Sequence, residues 1–355
     1  MTAHWKDHPA AAAAAGLHYV TDTEPGIRRK RAGKGWAYYL PDGSLIRDRS
    51  VRKRIEALVI PPAWTNVWIC PDPFGHLQVT TRDQKGRKQY RYHPLYREQR
   101  DESKFERMLA FSEFLPKLRD RIERDLSLPS LPRRKVLATV VRLLDKTLIR
   151  VGNHEYARDN RSYGLTTMRA RHVQVSGSSL RFEFRGKSGV KQNVSISDRR
   201  LARIVQQCQD LPGQELFQYL DDAGERQTVS SGDINDYLRE IGGRDITAKD
   251  FRTWAGTMLA ARELQKAGPV DSGREAKQNI VRAIDTVAER LGNSRAVCRK
   301  YYVHPTVIAA YMRGSCYTQP RPIRRRKEKR ERPSGALRRD EAAVLQFLQE
   351  EIDSD

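Results

Sequence analysis

The sequence predicts an α+β protein: a small β-rich N-terminal domain followed by a larger, mainly α-helical domain that contains a short β-hairpin excursion. Three observations carry this. The chain has 355 residues, too many for one ordinary domain and enough for two or three with substantial cores. From about His18 to Tyr96, aromatic and β-branched residues are broken at short intervals by turn signals. After Asp101 the apolar residues recur at helical spacing instead.

Residues 1–17 carry an alanine run but also Lys6, Asp7 and two histidines, so they lack the uninterrupted apolar core of a secretory signal and read as a disordered lead-in. In the β-rich domain, 18–98, Gly35-Trp-Ala-Tyr-Tyr-Leu and the alternating Leu77-Gln-Val-Thr-Thr are strand-like. Pro41-Asp-Gly-Ser is a turn, and Ser50 to Leu58 forms a short helix. The helical domain, 99–318, opens with Phe105, Met108, Leu109, Leu115, Leu118 and Ile122 on one helical stripe. A second stripe holds Val136, Leu137, Val140, Leu143, Leu144 and Leu148. The β excursion follows: Val173 and Val175 alternate, Ser176-Gly-Ser-Ser turns the chain, and Leu180, Phe182 and Phe184 alternate again. Gly186-Lys-Ser-Gly makes a second turn before Val190, Val194 and Ile196, which puts Lys187 at the exposed tip of a hairpin.

Three helices complete this domain: Thr247 to Lys266, opened by a cap at Thr247 and Asp250; Arg274 to Leu291, stopped by Gly292-Asn; and Ser294 to Tyr302, ended near His304-Pro. In the last segment, 319–355, the run Arg321-Pro-Ile-Arg-Arg-Arg-Lys-Glu-Lys-Arg-Glu-Arg-Pro cannot build a core and reads as a mobile basic linker. Ala342, Val344, Leu345, Leu348 and Ile352 then form a short amphipathic helix, expected to be mobile and to offer a weak docking surface to a protein partner.

Sixty-six Lys and Arg against forty-four Asp and Glu give a net charge of +22, which favours a polyanionic partner and above all nucleic acid. No apolar run approaches the roughly 20 residues that cross a bilayer, so no membrane partner is expected. Cys70, Cys208, Cys298 and Cys316 lie far apart without zinc-ligand spacing, pointing to a reducing compartment. The expected location is cytoplasmic, at the nucleoid.

The reaction class narrows by elimination. Gly186-Lys-Ser resembles the end of a phosphate-cradling nucleotide loop, but that motif needs glycine where Arg181 stands. The histidines include no closely spaced pair outside the lead-in, and no acidic cluster suggests magnesium. No metal and no cofactor are therefore expected. What remains is a set of cationic residues at structured positions in the helical domain and a tyrosine near its end, which suits phosphoryl transfer. Guanidinium groups neutralise charge on non-bridging oxygens, an ammonium on a turn protonates a leaving alkoxide, and a phenol forms an ester from which it can later be expelled.

Four segments resemble type IB DNA topoisomerases of the poxvirus and bacterial kind: Leu148-Ile-Arg-Val-Gly152, Phe182-Glu-Phe-Arg-Gly-Lys-Ser188, Thr247-Ala-Lys-Asp-Phe-Arg-Thr-Trp254, and Leu291 to Pro305. Their order and spacing match the family from about His18 to Gly314. The resemblance implies the catalytic domain shared by tyrosine recombinases and these topoisomerases. It implies a monomer that clamps double-stranded DNA between two domains, nicks one strand through a 3′-phosphotyrosyl link, allows rotation and religates. It also assigns roles. Arg150 and Arg252 clamp the scissile phosphate, Lys187 is the general acid, and Tyr302 is the nucleophile, chosen over Tyr301 because it lies nine positions after Asn293. Asn293 departs from the histidine of the poxvirus enzymes; its amide still donates a hydrogen bond but carries no charge. Gln89, Tyr90 and Tyr92, with Lys85 and Arg87 beside them, resemble the family's groove-reading strand, and Lys249 joins the DNA-contacting set.

Taken singly, these residues have plainer explanations: a helix C-cap for Arg150, a solvated turn lysine for Lys187, a structural cation for Arg252, core packing for Tyr302. It is their coincidence that favours catalysis. Two rivals remain, a tyrosine recombinase and a non-catalytic architectural DNA-binding protein. Recombinases usually carry histidine where Lys249 stands, three residues before the second arginine.

Overall fold

The computed structural model describes residues 8–33, 35–84, 86, 88–221, 223–242, 246–317 and 337–354. The chain forms two compact units, Met1–Lys104 and Phe105–Asp355. The division falls inside helix α3 (Pro94–Leu126), six residues beyond the 98/99 boundary expected from the periodicity.

In the first unit, α1 (His8–Ala14) precedes β1 (Ile27–Ala32), β2 (Gly35–Tyr39), α2 (Arg49–Ala57), β3 (Thr65–Ile69), β4 (Leu77–Arg82) and β5 (Lys88–Tyr92). The strands form one antiparallel sheet in the order β2-β1-β3-β4-β5. Helix α2 starts where the Asp48 carboxylate accepts from the Ser50 and Val51 amides, and it sets Ile55 against Ile27, Ile69 and Val79. The disordered lead-in expected over 1–17 needs correction across its described part. The alanine run is helical, as alanine's propensity favours, and Ala12 and Leu17 are buried with Tyr96. A small apolar residue contributes little to a periodic pattern, so the sequence hid this contact.

The second unit contains the rest of α3, then α4 (Arg133–Thr147), α5 (His154–Asn160), β6 (Val173–Ser176), β7 (Ser179–Arg185), β8 (Lys191–Ser197), α6 (Arg199–Asp210), β9 (Gln218–Leu220), β10 (Arg226–Thr228), α7 (Ser231–Gly242), α8 (Ala248–Ala267), α9 (Gly273–Leu291), α10 (Arg295–Tyr301), α11 (Pro305–Met312) and α12 (Arg339–Asp353). One continuous apolar core joins most of them, while β10 is exposed throughout. The excursion is a three-stranded antiparallel sheet in which Leu180, Phe182 and Phe184 point inward from β7, and Lys187 stands in the β7–β8 turn as the alternation predicts. The predicted cap of α8 is present, with Asp250 accepting from the Thr247 amide at 2.8 Å. The β9–β10 hairpin was not foreseen, because three-residue strands as polar as Arg-Gln-Thr carry no alternation to read. Among the described residues no helix is long and apolar enough to cross a membrane.

The C-terminal segment also needs correction. Most of the linker, 318–336, lies outside the described residues, but the apolar stripe of α12, expected to be mobile and open to a protein partner, is packed within the unit. Val344, Phe347 and Leu348 are buried in the unit's own core, and Glu341 makes a two-pronged ion pair with Arg119 at 2.7 and 2.8 Å. An amphipathic stripe announces that it will be buried without saying against what. Both partners are under a tenth exposed. Glu341→Ala would leave the Arg119 charge buried beside Asp145 alone, and should lower unfolding free energy by about 3–5 kcal/mol, measurable by urea denaturation. Burial pushes the Glu341 carboxyl up, but the hydrogen bonds and charge of Arg119, together with the Arg338 amide and charge, outweigh it and hold it below the usual carboxylate range. The pair's contribution is therefore complete at neutral pH and is lost as pH falls below the ordinary carboxylate range of about 4.

Candidate active site

Arg150 follows the end of α4, where Leu148 takes a left-handed backbone conformation (φ 59°) and stops the helix. Its backbone is then fixed from the side: the Arg150 carbonyl accepts from the Leu165 amide at 2.8 Å, and the Val151 carbonyl from Thr166 at 2.6 Å. Gly164 allows this approach, since a Cβ there would lie 2.5 Å from the Arg150 oxygen. From this anchored segment the guanidinium donates to Asn293 Oδ1 at 2.6 Å and reaches the Gly292 carbonyl at 3.4 Å. Those partners belong to the turn after α9, so Arg150 does more than cap the helix before it.

Arg252 projects from α8 and is only 5% exposed. It donates to the Leu148 carbonyl at the end of α4 and, at 2.7 Å, to the Leu291 carbonyl at the end of α9. Two helix C-termini thus direct their negative ends at one buried cation, and among the described residues no carboxylate forms an ion pair with it. Burial lowers this guanidinium to about 10, nearby Arg150 pushes it the same way, and Tyr302 opposes the shift. Burial also lowers Arg150. Arg252 remains charged at neutral pH, held by carbonyls rather than by an ion-paired carboxylate among the described residues.

Tyr302 is the residue at which α10 ends, and its ring lies 5.5 Å from the Arg252 guanidinium carbon. The neighbouring Tyr301 ring instead sits beside the Lys300 ammonium, 5.4 Å away. Helix α8 carries Gly256 in its interior, at a cost of about 1 kcal/mol relative to alanine; a Cβ there would overlap the Tyr302 carbonyl. Asn293 offers Oδ1 to Arg150, while its Nδ2 and the Arg252 Nε are buried donors with no acceptor among the described residues. Buried donors are rarely left unpaired, so both are free to serve an incoming acceptor.

Lys187 is exposed on its turn. It lines a narrow pocket together with Arg150 and Arg252. It also borders a cleft of about 990 Å³ shared with Arg150 and Asn293. The structure therefore gathers Arg150, Lys187, Arg252 and Asn293, which the sequence scatters over more than 140 positions, and sets Tyr302 beside Arg252. Gln192, Arg290 and Tyr163 also line this space and were not singled out from the sequence. Only Gln192, in the strand that returns from the Lys187 turn, could have been inferred from its register opposite Phe184.

In the first unit, strand alternation places Tyr90 and Tyr92 on one face of β5, their rings stacked 6.1 Å apart. Gln89 faces the other way and donates to Asp83 at 3.0 Å, so the expected trio is divided between two faces. Tyr90 is 49% exposed. Lys88, beside it, is paired with Asp22 at 2.5 Å, a carboxylate that sequence reasoning did not mark. Lys85 and Arg87 lie outside the described residues. Lys249 is exposed in the first turn of α8.

Comparison with known proteins identifies the family. The family model for the catalytic core of eukaryotic DNA topoisomerase I matches residues 93–327, and that for the N-terminal domain of bacterial DNA topoisomerase IB matches residues 35–83. The chain is 33% identical to DNA topoisomerase 1B of Acanthamoeba polyphaga mimivirus, over 81% of this chain and 87% of the viral one. It is 21% identical to DNA topoisomerase 1B of Vaccinia virus (strain Copenhagen), over 64% of this chain and 69% of that protein. The chain belongs to the type IB DNA topoisomerase family. Within its first unit, residues 35–83 match that family's bacterial N-terminal domain.

Proposed function

We propose that this protein relaxes supercoiled double-stranded DNA as a monomer, cutting one strand with Tyr302, letting the free end rotate, and resealing it without ATP or metal. The observation that carries this reading is the phenol of Tyr302 beside Arg252, a buried cation held by two carbonyls and lacking an ion-paired carboxylate. A phosphodiester would supply the anion. Arg252 and Arg150 neutralise the non-bridging oxygens as charge builds there, and the orphaned Asn293 amide adds an uncharged donor. The helical unit is read as the catalytic domain that tyrosine recombinases share.

The step balances as a transesterification. The Tyr302 oxygen gives up its proton to solvent and bonds to phosphorus; the bond from phosphorus to the 5′ oxygen breaks; and that oxygen takes a proton from the Lys187 ammonium. A 3′-phosphotyrosyl ester and a 5′ hydroxyl result. Reversal reseals the strand, the ester having conserved the bond, and release of supercoil strain drives net relaxation. Tyr90 and Tyr92, with Lys249, are assigned to DNA contact, as is Gln89 if its bond to Asp83 opens on binding.

The test is a plasmid assay in EDTA without nucleotide. Ladders of relaxed topoisomers are expected, with no products of strand exchange between plasmids. A requirement for ATP or magnesium, or an unchanged supercoiled band in the presence of bound protein, would refute the reading; the last outcome would favour an architectural role.

A further inference from the structure

We propose that Gly256 and Thr257, which lie one turn beyond Arg252 on α8, are positioning residues for Tyr302. They seat its backbone so that the phenol stands in register with the phosphate-holding arginine. The inference rests on the reading of Tyr302 as nucleophile given above.

Tyr302 comes just after α10, and its own amide makes the last bond of that helix, to the Cys298 carbonyl at 2.9 Å. Beyond that bond the chain is held from α8. The Thr257 hydroxyl accepts from the His304 amide at 3.0 Å, and its proton is shared between two acceptors, the Tyr302 carbonyl at 3.4 Å and the Met108 sulfur at 3.3 Å. One hydroxyl can do both at once, since it has a proton and two lone pairs. It thereby brackets Val303, which is fully buried, as is Thr257 itself. His304 is braced on its other side by the Phe105 ring at 4.7 Å.

Gly256 sets the distance of approach. A Cβ at this position would overlap the Tyr302 carbonyl oxygen and lie 3.1 Å from the Tyr302 Cβ. Residues four apart on a helix share a face, so Arg252 and Gly256 present one surface to the same tyrosine: the guanidinium meets the ring and the bare backbone meets the main chain. A single rigid helix therefore sets the relation between phosphate clamp and nucleophile. No residue of α10 could do this alone, because the helix ends at the residue that must be placed.

The test uses the full-length protein and a duplex carrying a cleavage site mapped with the wild type. Thr257→Val keeps shape and removes the hydroxyl, Thr257→Ser restores it, and Gly256→Ala adds the obstructing carbon. Single-turnover formation of the covalent complex and duplex affinity are measured for each. The same rates are measured on a duplex with sulfur in place of the scissile 5′ oxygen. There the Tyr302 oxygen still bonds to phosphorus, but the phosphorus–sulfur bond breaks and a thiolate departs without needing a proton, its thiol having a pKa of about 8.5. That substrate relieves a leaving-group defect such as Lys187→Ala, and cannot relieve a misplaced nucleophile.

A misplacement of about 1 Å costs on the order of 10²-fold, so Thr257→Val should slow cleavage by roughly 30- to 100-fold on both substrates with affinity unchanged. Thr257→Ser should recover most of the rate, and Gly256→Ala should be at least as slow as Thr257→Val. Wild-type cleavage by Thr257→Val overturns the proposal. So does relief of its defect by sulfur, a Thr257→Ser rate no better than that of valine, or a loss of affinity that matches the loss of rate. A covalent complex still formed by Tyr302→Phe would instead overturn the reading of Tyr302 itself, whatever Thr257 does.

Discussion

Substituting phenylalanine for Tyr302 should abolish relaxation and covalent attachment to DNA while leaving duplex affinity and folding intact. The ring stays against the Arg252 guanidinium, 5.5 Å from its carbon, so packing is preserved and only the oxygen is removed. Loss of a nucleophile lowers turnover by at least about 10⁴-fold. Tyr301 cannot take over, because its ring lies beside Lys300 and the helix would have to rotate to exchange the two. Denaturing gels of end-labelled duplex, alongside a filter-binding titration, separate the two quantities. A retained covalent band, or a loss of affinity as large as the loss of rate, would show that the ring is structural.

Arg252→Ala should cost on the order of 10³-fold in single-turnover cleavage, the upper range for removing one preorganised donor from developing charge. Its stability effect is a balance. The Leu148 and Leu291 carbonyls lose their donor, at roughly 1–3 kcal/mol each if left buried and unpaired. Against this, a cation whose pKa burial has lowered to about 10 no longer has to be kept out of water. The net change in unfolding free energy should therefore be smaller than the catalytic loss. Arg252→Lys should remain slow, because a single ammonium cannot reach both carbonyls and grip a phosphate by two parallel bonds. Chemical denaturation set beside cleavage rates checks this. Near-normal cleavage by either variant would reduce Arg252 to a pin between two helix ends.

What the sequence could show depended on how local each cause was. The β7–β8 alternation, the Thr247–Asp250 cap and the stop at Gly292 are written in neighbouring residues, and each appears where the pattern put it. The buried alanine of α1 and the docking of α12 depend on which surface receives them, and no periodicity encodes that. The site lay between these cases. Resemblance to a family pointed to Arg150, Lys187, Arg252, Asn293 and Tyr302. Spacing alone could not reveal that the carbonyls of Leu148 and Leu291 converge on Arg252, or that Asn293 turns its oxygen to Arg150 and leaves its amide nitrogen unpaired. Gly256 was visible as a glycine in a helix, but its reason, the main chain of Tyr302, is contributed from 46 residues away. For Gln89 the missing information was the strand face: alternation sets it opposite Tyr90 and Tyr92, where it donates to Asp83.

The most direct measurement is to trap the protein on a duplex whose cleaved end diffuses away, digest the adduct, and identify the modified residue and the attached DNA terminus by mass spectrometry. A single modified peptide is expected, with Tyr302 esterified to the 3′ phosphate of the cut strand. Attachment at Tyr301 or any other residue, or linkage through a 5′ phosphate, would contradict that assignment.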